Sequence, residues 1–280
     1  MNGIFAIYKE QNMTSHDVVA RIKRQFKCKV GHTGTLDPNA EGVLVLLINQ
    51  ATKTLPYLDL RDKVYLATVQ LGLATTTGDI WGDIKDQTAI PELKDEHIQA
   101  VLAAMVGPFI QKAPMVSAKK INGRKLYEYA RKGQMVDIPE TIQTLYSLEF
   151  LSYDASQHVL QFRASVSSGT YIRSLCEAIA LKLGTLGAMA SLVREQVGSF
   201  SLEDCVHLDE VSLENQLINP LEKISLERYD CSAILQQVYY GQRVILDTCA
   251  DEVIMVKDHQ AVAVYRREHD SVFKSIRGLW

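Results

Sequence analysis

The stretch Gly31–Gly42, GHTGTLDPNAEG, carries most of the information about the fold of this chain. It places a single aspartate, Asp37, among turn-forming residues and directly before Pro38, and the apolar run GVLVLLI follows at once. Proline biases the preceding residue toward extended backbone, and glycine permits turns that other residues resist. The stretch predicts a carboxylate on a stiff loop that leads into a buried central strand, Gly42–Ile48. An ordinary Asp-Pro turn would explain the same residues.

The segments around this loop predict helices and strands in irregular alternation. Apolar residues recur with helical spacing in some segments and with strict alternation in others. The predicted elements are a helix capped by Thr14 that runs to about Phe26, strands Val64–Leu71 and Val159–Val166, a helix over Asp95–Met105, and a helix after the SSGT turn of Ser167–Thr170. Because the order lacks a regular βαβ rhythm, we expect an α+β fold with a mixed sheet.

A change of pattern after Pro220 indicates a second, smaller unit. Short apolar runs alternate there with polar turns such as Lys257-Asp258-His259, which is typical of a β-rich domain beginning near Tyr229. The runs are Val244–Leu246, Val253–Val256, Ala261–Tyr265 and Val272–Ile276.

Composition excludes several classes of protein. The 280-residue chain has no apolar run near the length of about 18 residues that a membrane span needs, and its first residues do not resemble a signal peptide. Its five cysteines are scattered without a CxxC pair, which argues against a zinc site and against a disulfide framework. We therefore expect a cytoplasmic protein without a metal.

The positive charges are clustered although the net charge is −3. Arg21–Lys29 carries five cations and no anion, and Lys119–Lys132 carries six cations against Glu128 alone. Tyr127 and Tyr129 are interleaved with the second cluster. Cations with aromatic neighbours favour binding to the phosphates and bases of RNA, although ordinary solvated faces can have the same composition.

Several motifs in collinear order resemble those of the bacterial tRNA pseudouridine-55 synthases, the TruB family. The resemblance extends from Gly3 to Leu175. The motifs are MTSHDVV (Met13–Val19), VGHTGTLDP (Val30–Pro38), GVL (Gly42–Leu44), ATK (Ala51–Lys53), KVY (Lys63–Tyr65), LGLATTTGD (Leu71–Asp79), SAKKINGRKLYEYAR (Ser117–Arg131) and SSGTYIRSL (Ser167–Leu175). Each motif is weak alone, but their shared order is specific.

The resemblance implies a fold and an activity. The fold would be α+β, with a mixed, mostly antiparallel sheet flanked by helices and a small β-rich C-terminal PUA-like domain. We expect a catalytic domain over residues 1–224, with an RNA-binding thumb at about 111–139, and a C-terminal domain over residues 229–280. The activity would be isomerisation of uridine 55 in the T-loop of tRNA to pseudouridine, with no cofactor. We further expect a monomer that binds the tRNA T-arm, with no obligatory protein partner and no membrane.

The family assigns the central catalytic role to Asp37, paired with Arg173 and assisted by Tyr65. The residues give independent support. Arg173 lies in the first turn of its helix, where the helix macrodipole disfavours a cation, so an anionic partner is expected elsewhere. Tyr65 shares a strand face with apolar residues and should point inward. If Tyr65 removes the proton from C5 of the uracil, its hydroxyl needs a proton partner or a cation close by, since the ordinary pKa of tyrosine is about 10.

The same resemblance implies a set of RNA contacts. His32 would fill the gap left by the extruded base, Tyr171 and Leu192 would contact the target nucleotide, and Lys63 would bind a phosphate at the edge of the cleft. The thumb contacts would be Lys120, Arg124, Lys125 and Tyr127.

Departures from the family pattern keep other functions open. Glu10 replaces the proline of a Lys-Pro-x-Gly motif, and Ala188 and Val193 replace a histidine and an arginine expected on the RNA side. One alternative is a non-catalytic tRNA-binding chaperone on the same fold. Another is a glycosidase or nucleoside hydrolase with Asp37 as nucleophile, for which Asp79 would have to be the second carboxylate.

Overall fold

A computed structural model describes residues 2–212 and 217–280 of the chain. The strands are β1 (Gly3–Lys9), β2 (Val30–His32), β3 (Glu41–Ile48), β4 (Asp62–Leu71), β5 (Leu73–Thr75), β6 (Ile84–Gln87), β7 (Gly107–Gln111), β8 (Lys120–Ile121), β9 (Arg124–Lys125), β10 (Thr141–Asp154), β11 (Val159–Ser167), β12 (Gly187–Val197), β13 (Phe200–Ser201), β14 (Cys205–His207), β15 (Glu227–Asp230), β16 (Val244–Ile245), β17 (Glu252–Lys257), β18 (Gln260–His269) and β19 (Val272–Gly278). The α-helices are α1 (Ser15–Phe26), α2 (Asp95–Ala104), α3 (Leu126–Arg131), α4 (Ile172–Lys182) and α5 (Leu235–Tyr239). Short 3₁₀ turns lie at Asn49–Tyr57, Leu202–Asp204, Pro220–Lys223 and Ser232–Ile234.

A mixed sheet organises the first three quarters of the chain. Its hydrogen-bonded order is β14-β1-β3-β12-β4-β11-β10-β7, with β2 beside β3 and β13 beside β12. The pairs β1–β14 and β3–β12 are parallel, and the other pairs of this sheet are antiparallel. The predicted α+β class with a mixed, mostly antiparallel sheet is confirmed.

Strand β3 follows the Asp37 loop and is buried on both faces. One face packs with β1 against α1, through a cluster that includes Leu44, Leu46 and Val18. The other face packs against the C-terminal part of the chain, through Val45 and Ile254 among others. Burial on both faces explains why this strand is an uninterrupted apolar run rather than an alternating one.

Helix α1 begins where the sequence predicts. The Thr14 hydroxyl accepts a hydrogen bond from the Asp17 amide at 3.1 Å, and the Asp17 carboxylate accepts one from the Thr14 amide at 2.8 Å. This reciprocal capping box satisfies two otherwise free N–H groups of the first turn. The predicted helix with its N-cap at Thr14 is confirmed.

Helices α2 and α4 cover one face of β4, β11 and β10. Residues Tyr65, Ala67, Val69 and Leu71 alternate on that face and are buried. The predicted alternation of this strand is confirmed, although β4 starts two residues earlier, at Asp62. Helix α2 ends at Ala104 rather than at Met105. The backbone N–H of Met105 bonds to the carbonyls of Leu102 and Ala103, which tightens the last turn.

A five-stranded sheet with the order β15-β17-β18-β19-β16 forms the C-terminal part of the chain. It begins at Glu227, two residues before the predicted start, because β15 pairs with β17 from Glu227 onward. Curling of this sheet gives the expected PUA-like half-barrel. Its Ile254, Val264 and Leu279 share a hydrophobic cluster with the larger sheet, so the two sheets pack together. The proposed division at residues 224–229 stays a prediction, and the N-terminal unit of that division includes residues 1 and 213–216, which lie outside the described residues.

No helix within residues 2–212 and 217–280 is long and apolar enough to cross a membrane.

Candidate active site

The loop that carries Asp37 is fixed at several points. The Ser15 hydroxyl accepts a hydrogen bond from the Leu36 amide at 2.9 Å and lies 3.2 Å from the Leu36 carbonyl, which ties the loop to the start of α1. The Ala40 amide donates to the Asp37 carbonyl at 3.1 Å and closes a turn. At Gly42 the backbone has φ +102°, and a Cβ there would lie 2.2 Å from the Arg194 carbonyl. The close approach of two backbones requires glycine at this position.

Arg194 holds the front of the loop from inside the protein. Its side chain is almost completely buried, and it donates to the carbonyls of Val43 at 2.8 Å, Thr35 at 3.3 Å and Gly34 at 3.3 Å. A buried cation needs such acceptors, because removal of its hydration is costly. The guanidinium thereby fixes the backbone that leads to Asp37.

Lys9 holds the back of the loop in the same way. Its ammonium group is buried and donates to the carbonyls of Glu10 and Met13, both at 2.8 Å, and of Pro38 at 3.1 Å. Burial lowers the pKa of Lys9 to about 8. Two buried cations therefore hold the residues before and after Asp37 by their backbone oxygens.

Arg173 is the direct partner of Asp37. Its Nη2 lies 3.0 Å from Oδ2 of Asp37, and its Nη1 lies 3.7 Å from Oδ2 of Asp79. The same two nitrogens donate to the carbonyls of Val116 and Thr77, both at 2.9 Å. Arg173 is only 4% exposed. The anionic partner predicted from its place in the first turn of α4 is thus present, and a solvent-facing arginine is excluded.

The electrostatic setting of Asp37 combines opposing effects. Burial raises the pKa of its carboxyl above the ordinary value, the Arg173 cation opposes that rise, and the nearby Asp79 carboxylate adds to it. The net result is a raised pKa. The Asp37 side chain remains 39% exposed, so the carboxylate is aimed by Arg173 and still accessible from the cleft.

A cavity of about 300 Å³ opens beside this ion pair. Tyr65 of β4 and Tyr171 at the N-cap of α4 line it, together with Met189 and Leu192 of β12. The inward orientation predicted for Tyr65 is confirmed by its 7% exposure. The cationic residues of the lining are Lys63, Lys119, Arg173 and Arg194.

Lys63 is half-buried and lines the cavity. It precedes Tyr65 by two positions and shares its strand face. Its Nζ donates to the Ser168 hydroxyl at 2.9 Å, and burial lowers its pKa to about 8, with Arg194 adding to that effect. A phosphate or any other anion brought near it would raise this pKa again and favour the charged form.

A second space, a groove of about 610 Å³, lies on the other side of Asp37. His32 and His16 line one wall, and Lys125, Tyr127 and Arg131 of the predicted thumb line the other. The Tyr127 ring has the Lys125 Nζ at 5.4 Å and the Arg131 guanidinium carbon at 5.3 Å from its centroid. The groove is therefore cationic on the side of the thumb.

His32 is placed as an uncharged ring. Its Nδ1 is buried without a hydrogen-bond partner among the described residues, and burial lowers its pKa. A neutral imidazole is an aromatic surface against which a nucleobase can stack.

The predicted thumb contacts divide into two groups. Lys125 and Tyr127 face the groove, whereas Lys120 and Arg124 lie on the small β8–β9 hairpin, are exposed, and line neither space. The thumb is anchored in the protein by Gln111, Ala113, Ser117 and Leu126, which are buried. Exposed residues lie between and beyond them.

The structure corrects one interpretation of the sequence and adds residues that were not expected around Asp37. Ala188 was expected on the RNA side, and this is wrong: it pairs with Gln70 in the middle of the sheet and is completely buried. Sequence reasoning also missed Lys9 and Arg194 behind the loop, and it named Asp79 only as the second carboxylate of a hydrolase, not as a partner of Arg173. These residues could have been found from the sequence, because each is a charged residue inside a motif that is otherwise apolar or turn-forming.

Comparison with known proteins identifies the family of this chain. Residues 21–172 match the model of the TruB family pseudouridylate synthase N-terminal domain. The chain belongs to the TruB family. One TruB-family relative, the tRNA pseudouridine synthase B of Oceanobacillus iheyensis, is 38% identical over 95% of this chain and 93% of its own length. Another protein of that name, from Caldicellulosiruptor saccharolyticus, is 37% identical over 96% of both chains.

Solved structures of similar fold cover nearly the whole chain. A chain in the crystal structure of a Cbf5–Nop10–Gar1 complex superposes with a TM-score of 0.70, at 24% identity, over 99% of this chain and 85% of its own. A chain in the archaeal box H/ACA Nop10–Cbf5 complex gives 0.69 at 24% identity, over 99% and 86%. At these identities the similarity supports the fold, including the C-terminal sheet.

Proposed function

We propose that this chain converts uridine 55 in the T-loop of tRNA to pseudouridine, with Asp37 as its central catalytic group. As a TruB-family enzyme the chain isomerises uridine to pseudouridine in tRNA. The choice of the T-loop uridine follows the sequence motifs. The observation that carries the role of Asp37 is its ion pair with the buried Arg173 at the junction of a cavity and a cationic groove.

The reaction requires a carboxylate of this kind. The bond between C1′ and N1 breaks, the uracil turns, and C1′ joins C5, so no group is gained or lost. Positive charge develops at the sugar as the bond breaks, and an aimed carboxylate stabilises it, as in glycosidases. Asp37 can attack C1′, attack C6 of the base or remove a sugar proton, and each role needs its ionised form.

Within the cavity, Tyr65 and Tyr171 contact the detached uracil. Its ring must stay bound while it turns, and two aromatic side chains with Leu192 provide apolar walls that permit rotation. Tyr65 also takes part in removal of the C5 proton. Lys63, on the same strand face, is the nearby cation that a tyrosine acting as base requires.

The RNA backbone binds in the groove. The target uridine leaves its stack to reach Asp37, and His32 fills the gap that it leaves. Lys125 and Tyr127 hold the strand beside the groove, and Lys120 and Arg124 on the exposed hairpin reach phosphates farther along the T-arm. We also propose that residues 229–280 form a separate RNA-binding domain and that the protein acts as a monomer without a protein partner.

Tritium release from a T-arm stem-loop with 5-tritiated uridine at position 55 tests the function. The native chain should release tritium, whereas Asp37→Asn should bind the RNA but release none. Conversion at another uridine, or release of free uracil, would contradict the proposal. A stem-loop with cytidine at position 55 and tritiated uridines elsewhere is the matched control substrate.

A further inference from the structure

Ser117 lies where the inner cavity meets the outer groove. The residues that line both spaces are Thr35, Leu36, Asp37, Ser117 and Ala118. If the uracil occupies the cavity and the phosphates follow the cations of the groove, the ribose between them lies at this junction. Asp37 is one of the shared residues, and a carboxylate at this junction can reach C1′ of that ribose.

The hydroxyl of Ser117 has an unusual environment. Ser117 is 7% exposed, and its Oγ is buried without a hydrogen-bond partner among the described residues. Buried hydroxyl groups are nearly always hydrogen-bonded, because they lose their bonds to water. A side-chain hydroxyl without a protein partner, in a wall shared by two substrate spaces, indicates that its partner arrives with the substrate.

The backbone around Ser117 is held on both sides. The carbonyl of Val116 accepts a hydrogen bond from Nη2 of Arg173 at 2.9 Å, and the carbonyl of Ser117 accepts one from the Tyr127 amide at 3.1 Å. The same nitrogen of Arg173 lies 3.0 Å from the Asp37 carboxylate. The position of Ser117 is therefore fixed relative to Asp37, and rotation about its Cα–Cβ bond is enough to redirect the hydroxyl.

We propose that Ser117 binds the 2′-hydroxyl of the target uridine and so contributes to the selection of RNA over DNA. This inference rests on the proposed function. C2′ is bonded to C1′, so a group that contacts the 2′-hydroxyl must lie beside Asp37, as Ser117 does. Serine and the 2′-hydroxyl can each donate and accept a hydrogen bond, and the 2′-hydroxyl is the group that distinguishes RNA from DNA at one nucleotide.

The test measures affinity rather than turnover, because a 2′-deoxy substrate can also change the chemistry. In the Asp37→Asn background, the dissociation constants of two T-arm stem-loops are compared, one with uridine and one with 2′-deoxyuridine at position 55. Loss of one hydrogen bond should weaken binding by about tenfold. Ser117→Ala should therefore bind the uridine stem-loop about tenfold more weakly and the deoxyuridine stem-loop with unchanged affinity.

Ser147→Ala, on the exposed side of β10, is the matched control and should change neither affinity. Equal weakening of the binding of both stem-loops would overturn the ribose contact and assign Ser117 a structural role. Unchanged binding of both stem-loops would also overturn the ribose contact. Thermal unfolding of each variant shows that the fold is kept. Tritium release by the native chain tests the proposed function separately, so that function can hold while the Ser117 comparison fails.

Discussion

Replacement of Arg173 by methionine isolates the contribution of the central cation. The guanidinium is buried, donates to the carbonyls of Thr77 and Val116, and lies between the carboxylates of Asp37 and Asp79. Methionine keeps the length and most of the packing of the side chain but none of its charge. Two carboxylates would then face each other without a counterion, in a region where burial already raises the pKa of Asp37.

The electrostatic contribution of Arg173 can be estimated from the distance between its Nη2 and Oδ2 of Asp37. Two unit charges 3.0 Å apart attract by about 5 kcal/mol at an effective dielectric constant of 20. Because the Asp37 side chain is 39% exposed, water screens a large part of this, and about 2 kcal/mol remains as an order of magnitude. Loss of Arg173 therefore raises the pKa of Asp37 further above its ordinary value, because the cation that opposes the effect of burial is gone.

The direction of this change in the pKa of Asp37 determines how the pH profile of activity moves. The reaction needs ionised Asp37, so activity falls as the pH drops through its pKa. Since Arg173 lowers that pKa, Arg173→Met should move the acid limb of the profile to higher pH. The maximal rate should also fall about a hundredfold, because the carboxylate is no longer aimed. Arg173→Lys keeps the charge and should move the limb less while still lowering the rate.

Single-turnover tritium release from the T-arm stem-loop, measured from mildly acidic to mildly basic pH, gives both quantities. Arg163→Met is the matched control, because Arg163 pairs with Glu149 and Glu195 rather than with the site residues. An acid limb at the same pH in Arg173→Met and the native chain would refute the electrostatic argument. A lower maximal rate with an unmoved limb would leave only a positioning role for Arg173.

Four further predictions concern the surroundings of the site. Burial lowers the pKa of Lys9 to about 8, as it does that of Lys63, so the unfolded chain binds more protons between that pH and about 10.5. Urea unfolding should show stability rising with pH across this window, and Lys9→Met should lose about 3 kcal/mol of that rise while the part due to Lys63 remains. Arg194→Met should lower the free energy of unfolding by about 3 kcal/mol, because three backbone carbonyls lose a charged donor, and an unchanged urea midpoint would contradict this. Tyr65→Phe should slow tritium release at least about a hundredfold with RNA affinity nearly unchanged; a comparable loss of affinity would instead indicate a binding role. His32→Ala should weaken binding of the folded stem-loop about tenfold but not that of an unstructured T-loop oligonucleotide, as measured by fluorescence anisotropy, and equal weakening of both would exclude a role in base extrusion.

Much of the fold follows from patterns between near neighbours in the chain. The capping box at Thr14 and the alternation along Val64–Leu71 both appear in the structure as predicted. Such features depend on local geometry, on the period of a strand or on free N–H groups at a helix start, and these act over a few residues. The stiff Asp37 loop belongs to the same class, because glycine and proline restrict the backbone wherever they occur.

The environment of the site depends on which strands become neighbours. The anionic partner of Arg173 could be expected from the sequence, but only the packing of α4 beside the Asp37 loop places Asp37 and Asp79 at its guanidinium. The pairing of β12 with β4 buries Ala188, which the motif placed near RNA.

The sequence by itself determined helix α1, strands β3 and β4, the mixed class of the sheet and the candidate catalytic residues Asp37, Tyr65 and Arg173. Only the tertiary structure decided that Lys9 and Arg194 are buried behind the loop and that the Ser117 hydroxyl has no hydrogen-bond partner within residues 2–212 and 217–280. The physical reason is that burial and hydrogen-bond satisfaction are properties of all neighbours at once, including those far away in the chain.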